Sequence, residues 1–177
     1  MEMLGAEHNS PIAPMKVQKR GTRGYEPMQF DKITRRISNL CTGLSPAVDP
    51  VRIALSTIKN IYDCITTEEL DQISSAIAES YKTTHPDYSI LATRILVSNL
   101  HKTTPAKFSE SIDQIHKVLG IIDPAAHQFI MANATALDAM IIGNNDYIFD
   151  YFGFKVIERS YLHKAPRPVL GVDGSNV

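Results

Sequence analysis

The stretch from Tyr88 to Leu100 constrains the fold most, because it is apolar on nearly every side of a helix. A helix that is apolar all round is stable only inside a domain, with other elements packed around it. We therefore expect a central helix that starts after His85-Pro86-Asp87 and ends at His101 and Lys102. Arg94 interrupts its apolar surface, and we expect Arg94 to pair with a carboxylate. The apolar positions are Tyr88, Ile90, Leu91, Ala92, Ile95, Leu96, Val97 and Leu100.

Three amphipathic helices are predicted ahead of this central helix. The first has Asp31 as its expected N-cap. The second starts at Asp49-Pro50, with Asp as the cap and Pro at the first helical position. The third starts with a capping box formed by Thr66 and Glu69. The residues expected to face the core are Ile33, Ile37, Leu40, Cys41 and Leu44 in the first helix, Val51, Leu55, Ile58 and Tyr62 in the second, and Leu70, Ile73, Ile77 and Tyr81 in the third.

A basic hairpin is predicted before the helices. A strand from Val17 to Arg20 leads into a turn at Gly21 to Gly24, and a second strand ends at Phe30. Several cations therefore lie near one turn and one helix N-terminus, where backbone N–H groups also attract anions. This pattern predicts a phosphate-binding lid. Its cations are Lys19, Arg20, Arg23 and Lys32, whereas Lys32, Arg35 and Arg36 taken together are predicted to form a solvated helix face.

Further helices are predicted in the second half of the chain. Apolar residues at helical spacing start at Phe108, Asp123-Pro124 caps the next helix, and another follows around Leu137. The aromatic-rich run from Tyr147 to Phe154 is predicted to be extended, with a short helix after it from Lys155 to Leu162. We expect three parts: a flexible tail over 1–14, a first unit over 15–104 and a helical region over 105–177 whose end looks truncated.

The composition excludes several classes of protein. Hydrophobic residues make up 44% and charged residues 21%, as in globular proteins, and a net charge of −1 disfavours general nucleic-acid binding. No apolar run approaches the length of about 20 residues that a membrane-spanning helix needs, so no membrane association is expected. Cys41 and Cys64 are the only cysteines, which excludes a disulfide framework and a cysteine-rich zinc site. A cytoplasmic location is the default expectation.

Familiar nucleotide-binding and hydrolase motifs are absent: the chain has no Walker A loop, no Rossmann fingerprint and no Gly-x-Ser-x-Gly. The motifs that are present are Val17-x-Lys19-Arg20, Phe30-Asp31-Lys32-Ile33, Thr66-Thr67-x-x-Leu70-Asp71, His85-Pro86-Asp87-Tyr88-x-Ile90-Leu91-Ala92-x-Arg94-Ile95 and Ser98-Asn99-Leu100-His101-Lys102. In this order and spacing they resemble the ATP-cone of class I ribonucleotide reductase large subunits, of the eukaryotic and viral type. The segment from Asp150 to Leu162 resembles the link between that cone and the catalytic barrel.

The resemblance implies a mainly α fold, in which a β-hairpin lid covers a four-helix bundle and further helices lead to a catalytic barrel. It also implies that the cone binds ATP as activator or dATP as inhibitor, with Mg²⁺ accompanying the nucleotide. The implied partners are other large subunits and the radical-generating small subunit. No catalytic residue is implied, since Cys41 and Cys64 do not match the cysteines of the family's active site. The implied effector-binding residues are Lys19, Arg20, Glu26, Pro27, Met28, Gln29, Phe30, Asp31, Lys32, Thr67, Asp71 and Lys102.

Two departures from the family pattern leave alternatives open. The turn from Gly21 to Tyr25 holds one extra residue, and the sequence after Leu162 differs from the family's continuation. The chain could therefore be a degenerate ATP-cone that serves as an interaction module, or a free-standing cone regulator. Bacterial regulators of that kind carry a cysteine-rich zinc ribbon before the cone, and no cysteine precedes Met15. For Asp71 itself, the alternative to base or ribose contacts is a carboxylate that complements the helix dipole.

Overall fold

The central helix of the fold is α4, Asp87–His101, as the sequence predicts. In the computed structural model, which describes residues 15–20 and 24–162, most of its apolar side chains are buried. Ile90 is the exception, with 47% of its surface exposed. Helix α3, Thr67–Ser80, packs along α4 over most of its length. The fully buried members of α4 are Tyr88, Leu91, Ala92, Ile95, Leu96 and Val97.

The expected mainly α fold is confirmed. Two helices precede α3 and four follow α4 among the described residues. Asp49 caps α2 by accepting a hydrogen bond from the Val51 N–H, and Thr66 and Glu69 form the predicted capping box of α3. None of the described helices is long and apolar enough to span a membrane. The bounds of the other helices are α1 Phe30–Leu40, α2 Pro50–Lys59, α5 Phe108–Leu119, α6 Pro124–Ala132, α7 Ala134–Met140 and α8 Tyr151–Ser160.

A small three-stranded sheet lies beside the helices. Strand β1, Lys16–Gln18, pairs antiparallel with β2, Tyr25–Pro27, and this pair is the predicted hairpin. On its other side β1 pairs parallel with β3, Ile65–Thr66, which the sequence did not predict. The sheet order is β2-β1-β3. The turn residues 21–23, with the extra residue and Arg23, lie outside the described residues, as do the tail 1–14 and residues 163–177.

The inward face of α2 was predicted wrongly except for Ile58, which is partly buried against the core. Val51, Leu55 and Tyr62 are 49%, 54% and 53% exposed, whereas Ile53 and Ala54 are fully buried together with Thr57. Apolar residues occupy two faces of this helix, so periodicity alone could not decide which face packs. The smaller side chains of Ala54 and Thr57 allow α2 to approach its neighbours closely, and that face is the buried one.

The cap of α1 and the partner of Arg94 also differ from the predictions. Helix α1 starts at Phe30 after Gln29, so Asp31 lies in the first turn rather than at the N-cap. Within residues 15–20 and 24–162 Arg94 pairs with no carboxylate. It donates hydrogen bonds to the carbonyl oxygens of Leu40 and Thr42 at 2.8 and 2.7 Å. A cation at these carbonyls satisfies the C-terminal end of α1, where the helix leaves acceptors unpaired.

The aromatic run after Asn145 is helical rather than extended, which corrects another prediction. A 3₁₀ segment, Gly143–Ile148, leads into α8, which starts at Tyr151. Asp150 caps α8 by accepting a hydrogen bond from the Gly153 N–H at 2.7 Å. A Cβ atom on Gly153 would lie 3.0 Å from that carboxylate, so the close cap favours glycine. Phe154 then packs against the buried face of α4.

Candidate functional site

A pocket of about 250 Å³ lies between the hairpin, the start of α1, the start of α3 and the end of α4. Basic side chains approach it from all of these elements except α3. Apolar side chains from β1, α1 and α3 complete its walls. The lining residues are Val17, Lys19, Arg20, Glu26, Pro27, Met28, Gln29, Lys32, Ile33, Arg36, Thr67, Leu70 and Lys102.

The hairpin and α1 supply one side of this pocket. Lys19 and Arg20 directly follow β1, and Lys19 forms a 2.7 Å ion pair with Glu26 of β2 across the hairpin. The chain then passes from β2 into α1, where Lys32 and Arg36 lie four residues apart and so share one helix face. The opposite side comes from Thr67 at the first position of α3 and from Lys102 at the C-cap of α4.

One buried carboxylate anchors the basic side chains. Asp71 on α3 is only 2% exposed. Its Oδ2 accepts a hydrogen bond from Arg20 at 2.9 Å, and its Oδ1 pairs with Nη1 of Arg36. The ammonium group of Lys102 lies 3.9 Å from Oδ2. Arg20 also donates to the side-chain oxygen of Asn99 on α4. We call Arg20, Arg36, Asp71 and Lys102 the cation cluster.

The comparison with protein families identifies this part of the chain. Residues 15–103 match the family described as the ATP cone domain. The chain belongs to the ATP-cone family. The match extends from the residue before β1 to the residue after Lys102, so the cone contains every residue that lines the pocket and the whole cation cluster.

Several relatives of this ATP-cone protein are large subunits of one enzyme. The chain is 40% identical over 184 residues to the ribonucleoside-diphosphate reductase large chain of Schizosaccharomyces pombe, covering 92% of this chain and 23% of that protein. It is 42% identical over 150 residues to the large subunit of Danio rerio, covering 80% and 19%. It is 42% identical over 157 residues to that of Vaccinia virus, covering 83% and 20%. These similarities confirm the predicted resemblance, and the chain spans about a fifth of these relatives' length.

The cone places most of the predicted site residues at the pocket, with three exceptions. Phe30 is 40% exposed and does not line it. Asp31 lies with Arg35 in a shallow depression on the outer side of α1. Asp71 is buried behind the two pocket-lining arginines that it pairs with, Arg20 and Arg36. Its carboxylate therefore acts on the pocket through these arginines rather than directly.

The cation cluster carries more positive than negative charge. Burial is the main cause that lowers the pKa of Lys102 from 10.5 to about 8, and the charges of Arg36 and Arg20 add to it. Burial and Arg20 also lower the pKa of Arg36 to about 10. Burial lowers the pKa of Arg20, while the negative charge of Glu68 opposes that shift. The single carboxylate of Asp71 therefore does not compensate the three cations, and the cluster favours an added anion.

Two guanidinium donors in the cluster find no partner among the described residues. Nε of Arg20 and Nη2 of Arg36 are buried and make no hydrogen bond within the part of the chain that the structure describes. A buried donor without an acceptor is costly, and a hydrogen bond to a charged acceptor gives it a strong partner. The donor set therefore fits a phosphate, whose oxygens are charged acceptors.

Arg36 and Asn99 are the polar site residues that the sequence did not reveal. The prediction of a solvated face is wrong for Arg36, whose side chain is only 25% exposed and is paired with Asp71. A signal was present, since Arg36 lies four residues after Lys32 and next to the buried Ile37, whereas Arg35 points elsewhere. Asn99 is 5% exposed on α4, and nothing in its apolar surroundings indicated a contact with Arg20.

Proposed function

We propose that the pocket of this ATP-cone binds ATP or dATP as an allosteric effector, and that the triphosphate lies against the cation cluster. The observation that carries the proposal is the charge imbalance: Arg20, Arg36 and Lys102 share one buried carboxylate. Together with Lys32 at the pocket wall, these cations suit a ligand with several negative charges. ATP-cone domains bind ATP and dATP as effectors, so the family supports the same conclusion.

The roles of individual residues follow from their positions and belong to the proposal. Lys19, Arg20, Lys32 and Lys102 bind the phosphates, with Mg²⁺ accompanying them. Phe30 and Asp31 contribute the backbone N–H groups of the first turn of α1, which have no intrahelical acceptor. The side chains that cover the nucleotide or contact its base and ribose are Glu26, Pro27, Met28, Gln29, Thr67 and Asp71.

We further propose that the chain is the N-terminal regulatory region of a ribonucleoside-diphosphate reductase large subunit in the cytoplasm. Its identity of 38–42% to eukaryotic and viral large subunits supports this proposal. In it, residues 15–104 form the cone and residues 105–177 form the helical region that precedes the catalytic barrel. The partners would be further large subunits and the radical-generating small subunit, and the effector would set overall activity.

Isothermal titration calorimetry of the chain with ATP and with dATP tests effector binding. We expect saturable binding of both, with affinity reduced in Lys102→Ala because a phosphate loses a cationic partner. The matched control is Lys107→Ala, since Lys107 lies outside the pocket and forms an exposed ion pair with Glu110 at 3.6 Å. Failure of the folded wild-type chain to bind either nucleotide would reject the proposal in favour of a degenerate cone.

A further inference from the structure

Arg36 has the features of a ligand-binding residue rather than of a surface cation. It lines the pocket, its side chain is 25% exposed, and one of its terminal nitrogens pairs with Asp71. The other terminal nitrogen, Nη2, is buried without a hydrogen-bond partner among the described residues. Its neighbour Arg35 is exposed and lines the outer depression of α1 rather than this pocket. The two adjacent arginines therefore have different surroundings.

We propose that Arg36 is a phosphate-binding residue of the effector site and that Asp71 is the counter-ion that holds its guanidinium when no nucleotide is bound. The proposal rests on effector binding in the pocket and adds a residue to it. Bound phosphate would share or take over the guanidinium from the carboxylate. Asp71 would then act on the phosphates through Arg36 and Arg20, in addition to any contact with base or ribose.

The geometry supports this role for Arg36 in two ways. A guanidinium group has a planar set of donors that can bind a carboxylate on one side and a phosphate on another. Nη1 of Arg36 is taken by Asp71, so the buried Nη2 is the donor left for a phosphate oxygen, which would reach it as the guanidinium turns from the carboxylate toward the pocket. Asp71 also fixes the side chain in advance, which reduces the conformational entropy lost when the ligand binds.

The position of Asp71 explains why the cluster can exist before the ligand arrives. Three cations this close to one another repel, and a buried carboxylate reduces that repulsion. Both of its oxygens are engaged by guanidinium groups, Oδ2 by Arg20 and Oδ1 by Arg36. A polyphosphate supplies the same kind of oxygen with more charge, so it can compete for these donors.

Titration with inorganic tripolyphosphate tests the proposal, because this probe has neither base nor ribose. Arg36→Gln should weaken binding of tripolyphosphate and of ATP by about 10- to 100-fold, the range expected for a lost hydrogen bond between charged groups. Arg36→Lys should lie between wild type and Arg36→Gln, because it keeps the charge and loses the planar donors. Arg35→Gln is the matched control and should bind like wild type.

Asp71→Asn separates the counter-ion role from a contact with the nucleoside. If Asp71 competes with phosphate for Arg36, Asp71→Asn should bind tripolyphosphate at least as tightly as wild type. Weaker binding of tripolyphosphate to Asp71→Asn, in a variant whose circular dichroism is unchanged, would overturn the counter-ion role. Should Asp71→Asn not fold, the combination of Arg36→Lys and Arg36→Gln still decides the role of Arg36.

The failure of this inference is distinguishable from failure of effector binding. A wild-type chain that binds ATP, together with an Arg36→Gln variant of unchanged affinity, would overturn the role of Arg36 and leave effector binding intact. A wild-type chain that binds neither ATP nor tripolyphosphate would remove both. Equal losses of affinity in Arg35→Gln and Arg36→Gln would also overturn the assignment, since they would indicate general electrostatic attraction.

Discussion

Raising the pH through about 8 should weaken effector binding, because Lys102 loses its proton in the nucleotide-free chain. Its pKa is lowered from 10.5 to about 8 by burial and by the charges of Arg36 and Arg20. The contact with Asp71 at 3.9 Å favours the charged ammonium group, but the same carboxylate already pairs with both guanidinium groups. A bound polyphosphate adds negative charge beside Lys102 and should raise its pKa again.

The size of the effect follows from proton linkage. With a pKa of about 8 in the free chain and a value restored to 10.5 in the complex, the association constant falls about tenfold between about pH 7 and about pH 9. The side chain of Lys102 is 43% exposed, so water screens its interactions with the neighbouring charges. We therefore expect a decrease of about three- to tenfold over that range.

Calorimetry in two buffers of different ionisation enthalpy measures both the affinity and the proton uptake. Near pH 9 the wild-type chain should take up a fraction of a proton on binding ATP, and near pH 7 almost none, since Lys102 is already protonated there. Lys102→Arg is the control, because its guanidinium stays charged throughout and leaves only the pH dependence of ATP itself and of the other groups. Identical pH profiles and proton uptake in wild type and Lys102→Arg would refute the reasoning.

Three further predictions concern the stability of the nucleotide-free chain. Lys102→Met should raise the free energy of unfolding near pH 7 by about 1 kcal/mol or less, and Tm with it, because it removes a charge held beside two guanidinium groups; a lower Tm would contradict this reasoning. Thr66→Ala should lower the free energy of urea unfolding by about 1 kcal/mol, because the Thr66 hydroxyl accepts the Glu69 N–H at 3.1 Å; an unchanged value would count against the cap. Leu91→Ala, at a fully buried position, should lower the free energy of unfolding by about 2–5 kcal/mol. Ile90→Ala, at a position 47% exposed, should lower it clearly less, and equal losses would contradict the burial of Leu91 in the core.

The pH dependence of stability has the opposite sign to that of binding. Because the folded pKa of Lys102 lies near 8 and the ordinary pKa of a lysine is 10.5, the unfolded chain binds more protons between these values. Stability of the nucleotide-free chain should therefore rise with pH across this window, as far as Lys102 determines it. The same charge thus destabilises the empty site and attracts the effector.

Local sequence signals predicted the helices that have strong caps or an unambiguous pattern. Thr66 with Glu69 and Asp49 with Pro50 define helix starts through contacts within one turn, and α4 is apolar on so many sides that its burial follows directly. The inward face of α2 and the helix at Tyr151 were not predictable in this way. In α2 two faces are apolar, and in α8 an Asp cap and the packing of Phe154 override the preference of aromatic residues for strands.

The site residues also divide into those that local sequence signals predict and those that depend on distant contacts. Those carried by short motifs, such as Lys19, Arg20 and Lys102, were predicted through the family resemblance, and the structure places them at one pocket. Local pattern placed Arg36 on the helix face of Lys32, but it could not reveal the contact with Asp71, which is 35 residues further along the chain. Such a pair becomes visible only when α1 and α3 are placed in space.

The shortest element of the fold explains why these distant residues meet. Strand β3 contains only Ile65–Thr66, yet it pairs parallel with β1 in the register Val17–Ile65 and Gln18–Thr66. In the next residue after each strand, Lys19 follows β1 and Thr67 begins α3. Arg20 then pairs with Asp71, which lies one helical turn after Thr67. Because α3 packs against α4, the same arrangement brings the ammonium group of Lys102 to 3.9 Å from the Asp71 oxygen that Arg20 contacts. The pairing of β1 with β3 therefore couples the hairpin to the α3–α4 pair, and phosphate bound between Arg20 and Lys102 would stabilise that pairing in turn.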